Sequence, residues 1–283
     1  MDNFDFSGLK GKVCVVTGGA GVIGYSLCDA LVSVGIRVAI IDLNMDKAES
    51  AAKRISEKNH GECIGVNGNV LDKVSLKIAK DIILDKWGNI DFLINAAGGN
   101  APQATTQIEQ ITENDLDSLE ESFFGLKTEA IDHVFDLNFK GTLLSTMIFA
   151  EDMVKKQKGV IINISSMNSF RPLTKIPAYS AAKASVNNFT QWLAVHMAKS
   201  GVRVNAIAPG FFLTDQNHFL LIDKETGNAT SRGKKIIDNT PMGKYGQPED
   251  LNGIVLFLLS EFSSFITGVI IPVDGGYSAY GGV

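Results

Sequence analysis

Tyr179 and Lys183 stand four residues apart in the run Tyr179-Ser180-Ala181-Ala182-Lys183. On a helix that spacing puts both side chains on one face. A tyrosine phenol with a pKa near ~10 is a poor base at neutral pH. An ammonium group beside it favours the phenolate and lowers that pKa by about 1–3. The pair then becomes an acid/base able to move a proton on and off an alcohol. Taken alone, a tyrosine four before a lysine is commonplace. Its company is not. Ser165-Ser166 closes an apolar run just upstream, where Ser166 can hydrogen-bond the oxygen whose proton Tyr179 handles, and Asn95-Ala96-Ala97-Gly98 closes another.

A second group of residues suits a dinucleotide. Thr17-Gly18-Gly19-Ala20-Gly21-Val22-Ile23-Gly24 joins an apolar run, 12–17, to a segment with Ile23, Leu27, Ala30, Leu31 and Val34 on one helical face. Glycines there let the backbone approach a pyrophosphate, which sits on the N–H groups of the helix N-terminus. Asp42 ends the next apolar run, 37–42. A carboxylate at that point accepts hydrogen bonds from ribose hydroxyls and repels a 2′-phosphate. The loop and Leu43, Asn44 and Met45 supply no Arg or Lys, so NAD is expected in preference to NADP. The competing role for Asp42 is to cap the following helix.

The rest of the chain must hold these groups in place. Strands are predicted at 12–17, 37–42, 62–66, 91–95, 160–165, 203–208 and 269–273. Helices are predicted after the glycine loop and at 46–58, 74–87, 130–155, 178–199 and 249–259. This alternation implies βαβ units with right-handed crossovers, hence a doubly wound parallel sheet with helices on both faces. No Pro-, Gly- or Ser-rich linker divides the chain, so 1–283 reads as one domain. Two stretches, 99–127 and 210–246, break the rhythm. Both leave strand ends on the ligand side and are expected to be substrate-side loops.

Composition narrows the function. The chain has 283 residues and a formal charge of -5, with no Lys/Arg cluster, which argues against nucleic acid or a membrane surface as partner. Cys14, Cys28 and Cys63 form no CxxC, and His60, His133, His196 and His218 show no metal spacing. A reducing compartment and no metal are expected. The start, Met1-Asp2-Asn3-Phe4-Asp5, lacks the shape of a signal peptide, and no run approaches the ~18 apolar residues of a membrane span. A cytoplasmic protein is expected. The 28 glycines are about 10% of the chain against an average near ~7%, and several belong to the nucleotide loop.

From Lys12 to Gly276 the sequence resembles the short-chain dehydrogenase/reductase family. The markers are Thr17-Gly18 with Gly24, Asn95-Ala96-Ala97-Gly98, Asn138, Ser166, Tyr179 through Lys183, and Pro209-Gly210. The resemblance implies a Rossmann-like fold and hydride transfer between NAD and an alcohol or ketone. It implies Tyr179 as general acid/base, Lys183 holding the nicotinamide ribose and tuning Tyr179, and Ser166 orienting the carbonyl. Asn138 would support a water that relays protons through Lys183. Thr214 looks like the nicotinamide carboxamide contact. The cofactor set is Gly18, Gly21, Val22, Ile23, Gly24, Asp42, Asn69, Val70, Asn95, Ala96, Gly98, Tyr179, Lys183, Pro209, Gly210, Phe212 and Thr214. Two residues depart from the family pattern. Val22 stands where the loop usually carries glycine, with Gly21 one place earlier, which implies a different backbone path. Asn69 replaces the usual Asp near the adenine and can still donate and accept.

The substrate side is polar. Asn168, Arg171 and Lys175 lie between Ser166 and Tyr179, Asn100 follows the fourth strand, and Gln216-Asn217-His218 follow Thr214. Amides suit hydroxyls, and a guanidinium suits a carboxylate. A steroid or fatty-acyl pocket would be more apolar. The substrate set is Asn100, Ser166, Asn168, Arg171 and Gln216. Within the family the runs 164–183, 209–214, 240–243 and 274–277 look most like D-mannonate oxidoreductases of the short-chain type, also called fructuronate reductases. A gluconate 5-dehydrogenase-like enzyme is the nearest alternative, and a non-catalytic NAD-binding sensor or scaffold a remote one. The resemblance also implies a homotetramer, with the helices bearing Asn138 and Tyr179 at one interface. The tail, 277–283, is a candidate to complete a neighbour's pocket.

Overall fold

All five side chains of β1 (Val13–Thr17) are buried, because the strand is covered on both faces and so needs no polar alternation. Val13 and Val15 enter one core layer, while Cys14 and Val16 enter the other. The computed structural model describes residues 5–213, 221–224 and 226–282. The chain continues through α1 (Val22–Ser33), β2 (Arg37–Asp42), α2 (Met45–Asn59), β3 (Cys63–Asn67), α3 (Lys73–Trp87) and β4 (Phe92–Asn95). Next come α4 (Thr128–Phe135), α5 (Gly141–Phe149), α6 (Glu151–Lys155), β5 (Gly159–Ile164), α7 (Pro177–Met197) and β6 (Val202–Pro209). Finally α8 (Ser231–Asp238) and α9 (Asn252–Leu259) precede β7 (Ile270–Val273).

The seven strands form one sheet in the order β3-β2-β1-β4-β5-β6-β7, and each neighbouring pair is parallel. Leu27 and Leu31 of α1, Ile55 of α2 and Leu258 of α9 cover one face. Leu76 and Ile83 of α3, Phe149 of α5 and Leu193 of α7 cover the other. The strand order reverses between β1 and β4, where Thr17 is in register with Asn95 and Asn95 with Asn163. A cleft opens outside these carboxyl ends, as the topology requires.

Two expectations need correction. The helix expected over 130–155 is divided: α4 and α5 are joined by one wide turn, Asp136–Lys140, in which the Gly141 N–H bonds the Asp136 carbonyl five residues back. The loop 210–246 contains α8, whose eight residues are too few for a convincing apolar period. The loop 99–127 is built of short 3-10 turns at Pro102–Ala104, Glu113–Glu121 and Phe123–Gly125. Among the described residues no helix is long and apolar enough to cross a membrane.

Candidate active site

The nucleotide end is built around backbone that must come close. Gly18 has φ +65, and a Cβ there would lie 2.8 Å from the Cα of Ala97. A Cβ on Gly24 would lie 2.3 Å from the Gly18 carbonyl. The Thr17 hydroxyl accepts from the Ala96 and Ala97 N–H groups at 3.2 and 3.3 Å, tying the ends of β1 and β4 together. Gly21 is the N-cap of α1 and makes no side-chain cap, so the first N–H groups of that helix are available to an anion. The displaced glycine is thus accommodated: Gly21, at φ -75, takes the cap and Val22 the first helical position.

Gly18, Gly21, Val22, Ile23, Gly24, Asp42, Asn69, Val70, Ala96 and Gly98 line one cleft of about 520 Å³, together with Ala97, His133 and Leu137. Asp42 does not cap α2. That role falls to Asn44, whose Oδ1 accepts from the Lys47 N–H at 2.9 Å, while the Asp42 carboxylate accepts from the Asn44 N–H at 3.1 Å. Asn69 uses its Oδ1 to accept from the Leu71 N–H at 2.9 Å, which leaves its Nδ2 for a base. These residues fit a dinucleotide: a close-approach glycine turn, an uncapped helix N-terminus and a ribose-side carboxylate.

Other expected cofactor contacts lie elsewhere. Asn95 turns its amide into the core, donating to Thr146 Oγ1 at 3.0 Å and Asn163 Oδ1 at 2.8 Å. Its side chain braces β4 against β5 and does not line the cleft, because Asn95 ends β4 and successive side chains along a strand point to opposite faces. Phe212 likewise is buried, with its ring against Gly246. Pro209 ends β6, and Gly210 lies so close to Asp274 that a Cβ would come within 2.6 Å of that residue's Cα. Thr214, Gln216, Asn217 and His218 lie outside the described residues.

The catalytic candidates meet at the ends of β4 and β5. Lys183, 3% exposed, donates from Nζ to the Ile164 carbonyl at 2.8 Å, and the same ammonium lies 5.7 Å from the Tyr179 ring centre. Asn138 is fully buried in the wide turn before α5. Its Nδ2 donates to the Gly99 carbonyl at 2.7 Å and to the Val134 carbonyl at 2.8 Å, and its Oδ1 accepts from the Gly99 N–H at 3.1 Å. The side chain takes over a carbonyl four residues back, the bond a regular turn gives to the backbone. A Cβ on Gly98 would meet Asn138 Oδ1 at 2.7 Å and Lys183 Nζ at 3.1 Å, so glycine is needed where these groups converge.

Electrostatics differ from expectation at Tyr179. Burial pushes its phenol above the ordinary value, and the hydrogen bond with Ser166 pulls only partly the other way. The neighbouring lysine is itself depressed to about 8 by burial. Desolvation is the largest influence on both groups, although at neutral pH the lysine keeps its proton. Residues that went unremarked also support the site. Asn187, one turn beyond Lys183 on the same face of α7, accepts from the Ser165 hydroxyl at 2.5 Å and donates to Ser169 Oγ at 2.7 Å. The stripe Tyr179, Lys183, Asn187 was visible in the spacing alone.

Of the residues expected on the substrate side, Asn168 is buried beside Ser166, whose Oγ accepts from its N–H at 3.2 Å. Arg171 is exposed and donates from Nε to the Ser278 carbonyl at 2.7 Å. Asn100 spends its amide on Thr105 Oγ1 at 2.8 Å, and Lys175 spends its ammonium on the Gln107 carbonyl. Both secure the loop 99–127.

The family described as Enoyl-(Acyl carrier protein) reductase, a short-chain dehydrogenase type, matches residues 18–278. The chain belongs to the short-chain dehydrogenase/reductase family. It is therefore an oxidoreductase of alcohol and keto groups. It is 48% identical over 276 residues to the uncharacterized oxidoreductase UxuB of Bacillus subtilis, covering 97% of this chain and 98% of the relative. A solved structure from Haemophilus influenza, called a "putative D-Mannonate oxidoreductase" with bound NAD, is similar with a TM-score of 0.92 and 47% identity. That match covers 98% of this chain and 99% of the other. An NAD+-bound xylitol dehydrogenase is similar at 26% identity and a TM-score of 0.81, covering 95% of this chain and 99% of that one.

Proposed function

We propose that this short-chain dehydrogenase/reductase uses NAD to interconvert a keto sugar acid and its alcohol, D-fructuronate and D-mannonate, in the cytoplasm. The observation that carries the substrate reading is Arg171 at the mouth: neither Nη atom has a partner among the described residues, and a guanidinium edge matches a carboxylate. The D-mannonate assignment given to the 47% identical Haemophilus structure supports it. NAD is the cofactor, and it supplies the hydride acceptor in oxidation and the donor in reduction. In reduction, Ser166 donates a hydrogen bond to the keto oxygen and Tyr179 gives that oxygen its phenolic proton. In oxidation the same tyrosine removes the hydroxyl proton. Lys183, held by the Ile164 carbonyl, places its charge beside the phenol and favours phenolate whenever it is formed. Asn138 holds Gly99 and thereby the floor beside Lys183.

A panel of keto sugar acids and neutral polyols, read by NADH absorbance, tests the substrate class. D-mannonate is expected to turn over, and Arg171→Ala is expected to raise its KM about 10-fold or more, the scale of a lost charge-assisted bond. Turnover of neutral polyols alone would refute the sugar-acid reading. Asp42→Ala is expected to shrink the ratio of kcat/KM for NAD over NADP by about 10-fold, since repulsion of the 2′-phosphate is removed. An unchanged ratio takes Asp42 out of cofactor selection.

We also propose a homotetramer. Phe189, Trp192 and His196 stack along α7, with ring centres 6.2 and 4.8 Å apart, and Trp192, Val195 and Met147 of α5 are left exposed. Such an apolar face on two adjacent helices suits a second copy. A monomeric mass in solution at micromolar concentration would overturn it.

A further inference from the structure

The C-terminal turn reaches the substrate mouth through Arg171. β7 delivers Asp274 to the carboxyl edge of the sheet, where it packs on Gly210. Its Oδ1 accepts from the Gly276 N–H at 2.9 Å and its Oδ2 from the Ser278 N–H at 2.8 Å. Gly275 and Gly276, at φ +64 and +89, allow the reversal that brings both N–H groups back to one carboxylate. The Tyr277 ring meets Phe211 edge to face at 5.2 Å, fixing the turn against the strand end after β6. The turn then presents the Ser278 carbonyl, which accepts from Arg171 Nε at 2.7 Å.

We propose that this turn aims Arg171, with Asp274 as a positioning residue for recognition of the substrate carboxylate; the proposal rests on the sugar-acid reading above. A guanidinium is planar, so fixing Nε fixes the direction of the opposite edge. The two Nη groups are then offered end-on as a fork for two carboxylate oxygens. An exposed arginine left free must lose its rotamer freedom when substrate binds, whereas one held in advance has already lost it. Pre-ordering one such side chain is worth roughly 2- to 10-fold in affinity. Asp274 touches neither substrate nor cofactor in this scheme; it acts through Ser278 and Arg171.

The test is a double-mutant cycle on the full chain with NAD and D-mannonate, reading KM and kcat separately. Asp274→Ala is expected to raise KM roughly 2- to 10-fold with little change in kcat. In the Arg171→Ala background the same substitution is expected to add nothing to KM, because the group it positions is gone. Asp274→Asn keeps one acceptor, should fall between, and carries the cycle if the alanine variant does not fold. Additive effects of the two sites, or a loss confined to kcat, would overturn the role of the turn while the sugar-acid reading stands. If Arg171→Ala leaves KM for D-mannonate unchanged, the role of the turn falls while turnover of the acid keeps the sugar-acid reading; if no acid turns over, both fall.

Discussion

Tyr179→Phe is expected to lower kcat by about 10³-fold while the dissociation constant for NADH, read by fluorescence titration, stays within about twofold. General acid/base catalysis by one positioned group is worth about 10²–10⁴-fold, and phenylalanine keeps the ring while removing the only proton it can exchange. The ring is half-buried beside Lys183 at the end of β5, so its shape matters to packing and is preserved. Ser166 is the neighbour that draws the phenol's pKa down against burial, and losing the hydroxyl leaves a serine that can turn to water. Near-normal turnover in this variant would remove the assigned mechanism. Because burial raises the phenol, alcohol oxidation in the parent enzyme should also gain as pH rises, whereas reduction, which needs the phenol protonated, should not.

The second large effect concerns Lys183, where activity and stability are expected to move in opposite directions. Its ammonium is nearly sealed from solvent and its pKa is depressed from 10.5 to about 8. Between those two values the unfolded chain binds the proton that the native chain has released, so this group makes stability rise with pH there. Below about pH 8 both states carry the charge, and the native state bears its burial at full cost. One pKa unit corresponds to about 1.4 kcal/mol. Lys183→Met removes that cost and also leaves the Ile164 carbonyl without its donor, a loss of about 1–3 kcal/mol. The net expectation at pH 7 is a variant about as stable as the parent or up to roughly 2 kcal/mol more so, with kcat lower by about 10²-fold or more. The advantage should fade as pH approaches 10. Denaturant melts of both proteins at pH 7 and pH 10 decide the matter: a clearly less stable variant at pH 7 would mean that the carbonyl bond outweighs desolvation.

Much of this arrangement was legible in the residues because helix and strand periods carry it directly. Apolar runs such as 12–17 and 37–42 are unmistakable when both faces are covered, and Tyr179 and Lys183 declare a shared face by their spacing. What escaped depends on where a side chain turns after the backbone is placed. Asn95 sits next to cleft residues in sequence, yet strand alternation sends its amide to Asn163 and Thr146. Phe212 follows Pro209-Gly210, yet its ring is buried in the core. Asp42 and Asn44 compete for one cap, and only the geometry assigns it to Asn44. Tyr179 offers a further case: proximity to a lysine suggested a lowered pKa, but spacing carries no information about how deeply both groups are desolvated.

The wide turn at Asp136–Lys140 holds one residue more than a regular helix would use. Each helical residue advances the side chains by about 100°. The wide turn absorbs that extra residue, so α5 keeps the phase an uninterrupted helix would give it. Forcing the same number of residues into a regular helix would instead turn Leu144, Ile148 and Phe149, now in the core, by that angle toward water. What the extra residue supplies is local: the widened turn leaves the Val134 carbonyl to the Asn138 amide, so a deletion here would strike the site while sparing the packing of α5.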